Sequence, residues 1–410
     1  MKDPAAKRTF VRAAANAARA RGGHLAAASL LSALPLAGCG GGGDGGLTAL
    51  DQPISLEPAT VATALAFESV AMGYESSCML TANGEAWCWG RNDDGELGTT
   101  TTQTCSGGDV ACTWQPVRAA APLRFAALSP AQRHSCGLDA AGQAWCWGFG
   151  LGGQLGDGRR ADSTSAVAVA GGHRFVQIDS GRTGLVGCAL DDAGAAWCWG
   201  PAGGGTLGDG TTAMSATPVK ALAPQAFVSL GAGDEHACGL DATGLAWCWG
   251  RNVYGSLGRG VSGAGLLPAP VVGGPQFASL AVGGVFTCGL TAAGEAHCWG
   301  FAGSLGDGVG QHRGSPAPVA GGHRFASLSA GYQHACGLES DGSAWCWGPA
   351  MLVGGGTERE SLEPVAVAGG HRFRVLRAGG VATCAITLGG VPMCWGGNAA
   401  GSAGQSKVGS

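Results

Sequence analysis

The residues best equipped for chemistry in this chain are its seventeen cysteines. A thiol can close a disulfide, hold a metal, carry a lipid or attack a substrate, and spacing separates these roles. Fourteen fall into pairs ten positions apart: Cys78 with Cys88, Cys136 with Cys146, Cys188 with Cys198, Cys238 with Cys248, Cys288 with Cys298, Cys336 with Cys346 and Cys384 with Cys394. Cys105 and Cys112 form a further pair, and Cys39 is left over. No pair has CxxC spacing and no Cys₂His₂ pattern recurs, so no metal site is expected. An even set at regular spacing in an exported chain reads as disulfides.

A ten-residue spacing needs an element that brings its ends together. Around Cys336 and Cys346 the run is GYQHACGLESDGSAWCWG, from Gly331 to Gly348. Two short apolar segments flank Glu339-Ser340-Asp341-Gly342, the pattern of a β-hairpin. Alternation along a strand puts His334, Cys336 and Leu338 on one face, with Cys346 opposite Cys336. Trp345 and Trp347 then point to the other face, over Ala335 and Gly337.

The unit recurs seven times, ending at Gly90, Gly148, Gly200, Gly250, Gly300, Gly348 and Gly396, with a period of 48 to 58 residues. Short strands and glycine-rich turns at that period predict an all-β fold, a single seven-bladed β-propeller of four-stranded antiparallel blades. In the sixth repeat the strands are expected at 325–330, 334–338, 343–347 and 364–367. Glu57-Pro58 to Gly73 lines up with Glu363-Pro364 to Gly379, yet the last repeat ends without such a Pro-led strand. Residues 57–62 should therefore close the ring by completing the seventh blade and covering its edge.

The first 38 residues look like a targeting segment, with a basic start and an apolar stretch from Leu25 to Ala37 too short to span a bilayer. Leu36-Ala37-Gly38-Cys39 resembles a bacterial lipobox, which implies that Cys39 is lipidated and leads the mature protein. Residues 39–56 would form a glycine-rich tether, 57–405 the propeller and 406–410 a tail. The expected location is a bacterial cell envelope, lipid-anchored to the outer membrane and facing either the periplasm or the exterior.

Composition narrows the function. Glycine numbers 78 and charged residues are 13% of the chain. Without residues 1–38 there are 24 − 6 = 18 basic and 28 − 1 = 27 acidic residues, a net of −9. Nucleic-acid binding needs a basic surface, so none is expected. There is no Gly-x-Ser-x-Gly elbow, His-Glu-x-x-His or phosphate-binding Gly-x-x-x-x-Gly-Lys, and no enzyme or cofactor is expected. The Leu-Gly-Asp-Gly runs at 155–158, 207–210 and 305–308 lack alternating acidic ligands and read as turns. His134, His236 and His334 precede the cysteines and should satisfy backbone groups in their own blades.

A meander of four strands has two ends. One carries Gly-Gly-His-Arg turns that hardly vary, at 171–174, 321–324 and 369–372. The other varies: Tyr74, Arg133, Arg182, Asp234, Phe286 and Tyr332 come from one turn, and Arg91, Phe149, Arg251, Tyr254, Phe301 and Met351 from the loop after Trp-Cys-Trp-Gly. Function concentrates in variable loops on a rigid scaffold. The first repeat also has a long Thr-rich insertion, 99–115, with Cys105, Cys112 and Trp114. Tyr74, Arg91, Trp114, Phe149, Tyr254, Phe286, Phe301 and Tyr332 are the expected partner-binding residues.

The run Gly-x-x-His-x-Cys-x-Leu…Asp-Gly-x-x-Trp-Cys-Trp-Gly, followed by Arg91-Asn92-Asp93-Asp94-Gly95-Glu96-Leu97-Gly98, resembles the regulator of chromosome condensation repeat. That resemblance implies a seven-bladed propeller over residues 57–405. The cysteine pair is added to the family pattern, and the sixth and seventh repeats lack its Leu-Gly ending. The family's nuclear member is an exchange factor for a small GTPase, a partner an exported lipoprotein would not meet. A secreted relative of the same fold, a β-lactamase inhibitor protein, covers an enzyme with one propeller face and is the nearer analogy. The expected function is thus a monomeric, membrane-anchored scaffold that binds a protein partner. Inhibition of an exported enzyme, such as a β-lactamase or a cell-wall enzyme, and carbohydrate binding are the alternatives.

Overall fold

In a computed structural model each repeat folds as one antiparallel sheet, and the first strands of neighbouring sheets touch in a closed circle. The structure describes residues 55–403, apart from 62–64, 106–109, 182–184, 261–262, 357–358 and 399. Seven blades are present, with the first strand of each repeat innermost. The expected signal segment, Cys39, most of the expected tether and the tail lie outside the described residues, as does Arg182.

The sixth blade gives the local logic. Its strands are Phe325–Ala330, Ala335–Glu339, Ala344–Gly348 and Ser361–Ala366. Cys336 pairs with Cys346, Ala335 with Trp347 and Gly337 with Trp345, the expected register. The outer strand starts three residues earlier than the sequence suggested. A bulge between Cys346 and Gly348 accommodates Pro364, which has no N–H to give to the ladder. Glycine is needed opposite Trp345, because a Cβ on Gly337 would sit 2.4 Å from the Phe325 ring.

The two faces of each blade differ, and the core lies between blades. Cys288, Leu290 and Cys298 of the fifth blade pack against Phe325, Ala335 and Trp347 of the sixth. The same layer, disulfide and leucine against Phe and Trp, forms between the sixth and seventh blades and between the third and fourth. Sulfur against ring edges is favourable as well as apolar. The second Trp of each repeat is fully buried, and its Nε1 donates to a backbone carbonyl of the preceding blade, as in Trp347 to Ser304 O at 2.9 Å and Trp199 to Gln154 O at 2.9 Å. Each blade is therefore bonded to its neighbour by the residue that fills their shared core.

Both chain ends close the circle. Ser55–Thr60 pairs with Pro392–Gly396 on the outside of the seventh blade, and Val61 N donates to Pro392 O at 3.0 Å. At the other side Ser402 O accepts from Trp89 Nε1 at 3.1 Å and from Ser77 Oγ at 2.6 Å, both in the first blade. Ser402 thus takes the place in the circle that Ser304 takes for Trp347. The expected ring-closing strand is present, shifted by two residues at its start.

The cysteines meet as hairpin partners. Cys78 is joined to Cys88 in the first blade, Cys136 to Cys146 in the second and Cys188 to Cys198 in the third. Cys238 is joined to Cys248 in the fourth, Cys288 to Cys298 in the fifth, Cys336 to Cys346 in the sixth and Cys384 to Cys394 in the seventh. Each pair has its Cα atoms 4.0 to 4.1 Å apart, and no bridge links two blades among the described residues. Such a bridge closes a short loop and contributes about 2–3 kcal/mol through the unfolded chain. All fourteen sulfur-bearing residues are buried, so these cysteines build the core and are not exposed as ligands or nucleophiles. Cys105 and Cys112 are bridged too, Cα atoms 5.9 Å apart, between Gln103–Cys105 and Val110–Arg118. These add a fifth strand to the first blade, so the insertion extends a sheet instead of hanging free.

Candidate functional site

The variable end is built first by the turn that follows each inner strand. In the sixth blade Gly331 N donates to His334 O and Tyr332 N to Gly379 O of the seventh. The link repeats from Asp234 N to Gly284 O, from Gly284 N to Gly331 O and from Gly380 N to Gly73 O. The blades approach so closely that a Cβ on Gly331 would lie 2.3 Å from Gly379 O. Glycine thus lets the turns lock edge to edge, and the residue after it points out of the end. That places Tyr74 and Tyr332 together, ring centroids 5.7 Å apart and edge-on.

The loop after Trp-Cys-Trp-Gly supplies the second tier. In the fourth blade it makes one 3₁₀ turn, Val253–Gly255, with Tyr254 at φ +56. The same position in the third blade is Gly204, at φ +71. A non-glycine residue in that left-handed region costs about 1–2 kcal/mol. Tyr254 is nonetheless 43% exposed, and its ring stacks on His312 at 4.5 Å and tilts against Phe301 at 5.2 Å. Ala302 N donates to His312 Nδ1 at 3.0 Å, which fixes the imidazole and leaves its proton on Nε2. The chain has three tyrosines, and all three are on this end.

Between these tiers lies a cavity of about 550 Å³. Asp234, Arg251, Tyr254 and Tyr332 line it, with Val186 and Val285. Burial pushes the Tyr332 hydroxyl up from its ordinary pKa, and Asp234 and Tyr254 add to the effect. Tyr74 is raised likewise by burial, then by Glu75, Tyr332 and Asp234. Both phenols therefore stay neutral donors at physiological pH.

The arginines here are paired on their own end. Arg251 Nη1 is 2.8 Å from Glu235 Oε2. Arg91 bonds Glu75 at 2.7 Å and Asp93 at 2.8 Å, with the Glu96 carboxyl 4.0 Å away. Arg133 holds both oxygens of Asp94, at 2.6 and 2.8 Å, and lies 3.8 Å over the Phe149 ring. Glu96 is fully buried, and desolvation pushes its carboxyl up to about 8 despite Arg91. At neutral pH it is mostly uncharged.

The residues singled out in the sequence divide accordingly. Tyr254 and Tyr332 line the cavity, with Phe301 against Tyr254 and Tyr74 against Tyr332. Arg91 and Phe149 are on this end but hold local partners. Trp114 is half-buried against Gly401, whose Cβ, if it had one, would lie 3.2 Å from the ring; it secures the C-terminal segment on the first blade. Phe286 is a correction. It is fully buried, because Gly283 N bonds Phe286 O and ends the turn one residue sooner than assumed. Phe286 then pairs with Gly300 just as His236 pairs with Gly250, so its ring enters the core. The histidines correct a second expectation: His236 and His334 bond Thr287 and Thr383 of the next blade, at 3.0 and 2.8 Å, and neither ring nitrogen of His134 has a hydrogen-bond partner among the described residues. His312 was missed: the segment from Gly308 to the outer strand has the same length as those after Gly158, Gly210 and Gly260, and Asp162, Met214 and Ala264 stand at its position in those blades. Among the described residues no group of three or more His, Cys, Asp or Glu is placed to hold a metal. The opposite end carries exposed aliphatics, Leu222, Val272 and Leu388.

Comparisons with known proteins agree with this architecture. Family profiles for the regulator of chromosome condensation (RCC1) repeat match residues 67–96, 227–256 and 325–348, and 83–138. The human E3 ubiquitin-protein ligase HERC2 is 30% identical over 144 residues, 35% of this chain but only 3% of that protein. The mitochondrial RCC1 domain-containing protein RUG3 of Arabidopsis thaliana is 29% identical over 201 residues, 46% of this chain and 42% of its own length. Among solved structures, human WBSCR16 superposes with a TM-score of 0.70 at 19% identity, covering 82% of this chain and 87% of that one. Prp20p from Saccharomyces cerevisiae gives 0.66 at 20% identity, covering 80% and 82%. The chain thus carries regulator of chromosome condensation repeats at the matched segments, and its seven-bladed fold is the one shared by solved propellers such as WBSCR16 and Prp20p.

Proposed function

We propose that the chain is a non-catalytic scaffold, tethered to a bacterial cell envelope through a lipidated Cys39, that holds another protein on the end where its tyrosines gather. The observation that carries this is Tyr254: an aromatic ring kept exposed in a left-handed backbone conformation, beside Phe301 and His312. Strain of this kind survives where surroundings impose it and clusters at functional sites. Exposed tyrosines at the centre of a surface are the residue type that anchors protein interfaces. Yeast Prp20p, of the same fold, is described with binding to Gsp1p and histones and in complex with Kap60, which supports protein binding as a use of such a propeller. Carbohydrate binding has less support, because the tryptophans that would stack on sugars are taken up by the blades. Trp347 is wholly buried, and Trp345 is half-buried against His323.

Cross-linking in the native envelope, followed by recovery of the partner, supplies the ligand. Its affinity is then measured for the wild type and for Tyr254→Ala and Phe301→Ala. At least one variant should lose about tenfold or more. Normal binding by both would overturn the reading. Mass spectrometry of the mature N-terminus tests the anchor separately; an unmodified terminus at a residue other than Cys39 refutes it.

A further inference from the structure

One arginine of the variable end has no counter-charge. Arg259 follows Leu257-Gly258 in the fourth blade, and among the described residues it makes no hydrogen bond or ion pair. Its Nε is buried without an acceptor, and burial alone lowers its pKa, with no carboxylate contributing. A guanidinium stays charged even so, which leaves a half-buried cation without the partner that such a charge normally has. Arg251, Arg91, Arg133 and Arg313, by contrast, each hold a carboxylate.

The other repeats show that the turn does not require an arginine. The second, third and fifth blades have Asp157, Asp209 and Asp307 at this position, and each Oδ1 accepts from the backbone N–H two residues on, at 2.9, 2.9 and 3.0 Å. An arginine cannot accept, so the fourth blade gives up that bond. It gives up a side chain as well. Ser163, Ser215 and Ser361 begin the outer strand in the second, third and sixth blades, and Gly265 begins it here. A Cβ on Gly265 would run into Arg259 Nη2. Two positions thus depart from the repeat together, and the second makes room for the first.

The same loop carries Tyr254. Gly314 of the fifth blade touches it at two places: Gly314 O accepts from Gly260 N at 2.8 Å, and Gly314 Cα would lie 2.8 Å from a Cβ on Gly255. His312, two residues before Gly314, stacks on Tyr254. Ring and guanidinium therefore belong to one continuous surface of the fourth and fifth blades. Tyrosine and arginine are residue types that anchor interfaces. Resting on the protein-binding role proposed above, we propose that the partner carries an aspartate or glutamate that pairs with Arg259 beside the Tyr254 contact. With Nε covered, the two terminal nitrogens are left to meet both oxygens of that carboxylate.

The test begins without the partner. Arg259→Gln removes an unpaired charge, so the full, oxidised variant should melt at or above the wild-type temperature. Arg313→Gln, which breaks the 3.0 Å pair with Asp307, should melt lower. A clear loss of stability in Arg259→Gln would make the side chain structural and overturn the proposal. Affinity for the partner recovered by cross-linking should fall about tenfold or more in Arg259→Gln, and further in Arg259→Glu, whose charge repels the acid. Arg259→Lys, treated with a carbodiimide in that complex, should form an amide between the introduced amine and an Asp or Glu of the partner, located by mass spectrometry. Undiminished binding by Arg259→Gln and Arg259→Glu, or no amide to a partner carboxylate, would each overturn the proposal.

The outcome is separable from that of the function itself. If Arg259→Gln binds like wild type while Tyr254→Ala loses the partner, the protein-binding role stands and the acidic contact falls. If Arg259→Gln loses the partner with its melting unchanged while Tyr254→Ala and Phe301→Ala bind normally, the acidic contact stands and the tyrosines lose their role as anchors.

Discussion

Replacing Tyr254 by glycine separates the backbone from the ring. At φ +56 the tyrosine carries about 1–2 kcal/mol of strain that glycine would not. Glycine gives back about 0.5–1 kcal/mol of this through the freer unfolded chain. The lost ring contacts are those with Phe301 and His312, at 5.2 and 4.5 Å. Such contacts contribute about 0.5–1.5 kcal/mol each when buried, and Tyr254 is 43% exposed, so the lower half of that range applies. The terms nearly cancel, and Tyr254→Gly should stay within about 1 kcal/mol of wild type in denaturant titration. Tyr254→Ala keeps the strain and loses the ring, so it should be less stable than the glycine variant by about 1 kcal/mol. Affinity should fall alike in both, by about 2 kcal/mol or roughly thirtyfold, since neither has the anchor. If glycine costs as much stability as a core cavity, or if alanine and glycine are equally stable, the strain argument is wrong.

Other expectations follow from the blades. Trp347→Ala should cost about 3–5 kcal/mol by opening a cavity between the fifth and sixth blades, and Trp345→Ala clearly less, as read by melting under identical conditions. Deleting residues 55–61 should bare the edge of the seventh blade and cause aggregation or a large drop in Tm by light scattering and calorimetry; a monomer as stable as wild type would show the closing strand to be dispensable. Glu96 has its folded pKa raised to about 8 from an ordinary 4.5, so the folded state holds a proton that the unfolded chain releases. Stability from this group is complete below about 4.5 and is lost as pH rises through about 8. Glu96→Gln should therefore match wild type near pH 4 and become the more stable of the two between pH 5 and 8; a constant difference across that range would contradict the burial argument.

Much of this was legible in the residues because two signals agreed. The ten-residue cysteine spacing requires Cys336 opposite Cys346, and strand alternation then sends Trp347 to the other face; the structure has both. The same pairing holds where the flanking residues change, as for Cys394 opposite Cys384, where Met393 stands in place of the first Trp. What the alternation could not say is how deep each ring sits. Trp345 and Trp347 share a face, yet only Trp347 is wholly buried, because it packs into the layer between the fifth and sixth blades while Trp345 meets the His323 turn. The site was legible in part. Tyr254 and Phe301 were identifiable as odd residues in a repeating loop. His312 was not, although Asp162, Met214 and Ala264 hold the same position in the second to fourth blades, because that loop varies in sequence from blade to blade and nothing in it marks which residue meets Tyr254. Phe286 failed for a physical reason: the second strand begins at it, and a one-residue error at a strand start moves a side chain from solvent to core. The packing of Trp114 was not legible because its neighbour, Gly401, is distant in sequence and brought near only by ring closure.

The central claim is that a partner sits on the end bearing the tyrosines. Amide hydrogen exchange of the complex with the recovered partner tests it most directly. Protection should appear in segments 251–257, 301–304 and 331–334, which carry Tyr254, Phe301 and Tyr332, and leave the turns at 171–174, 321–324 and 369–372 unchanged. Protection confined to those Gly-Gly-His-Arg turns, with the tyrosine-bearing segments exchanging as in the free protein, would contradict it.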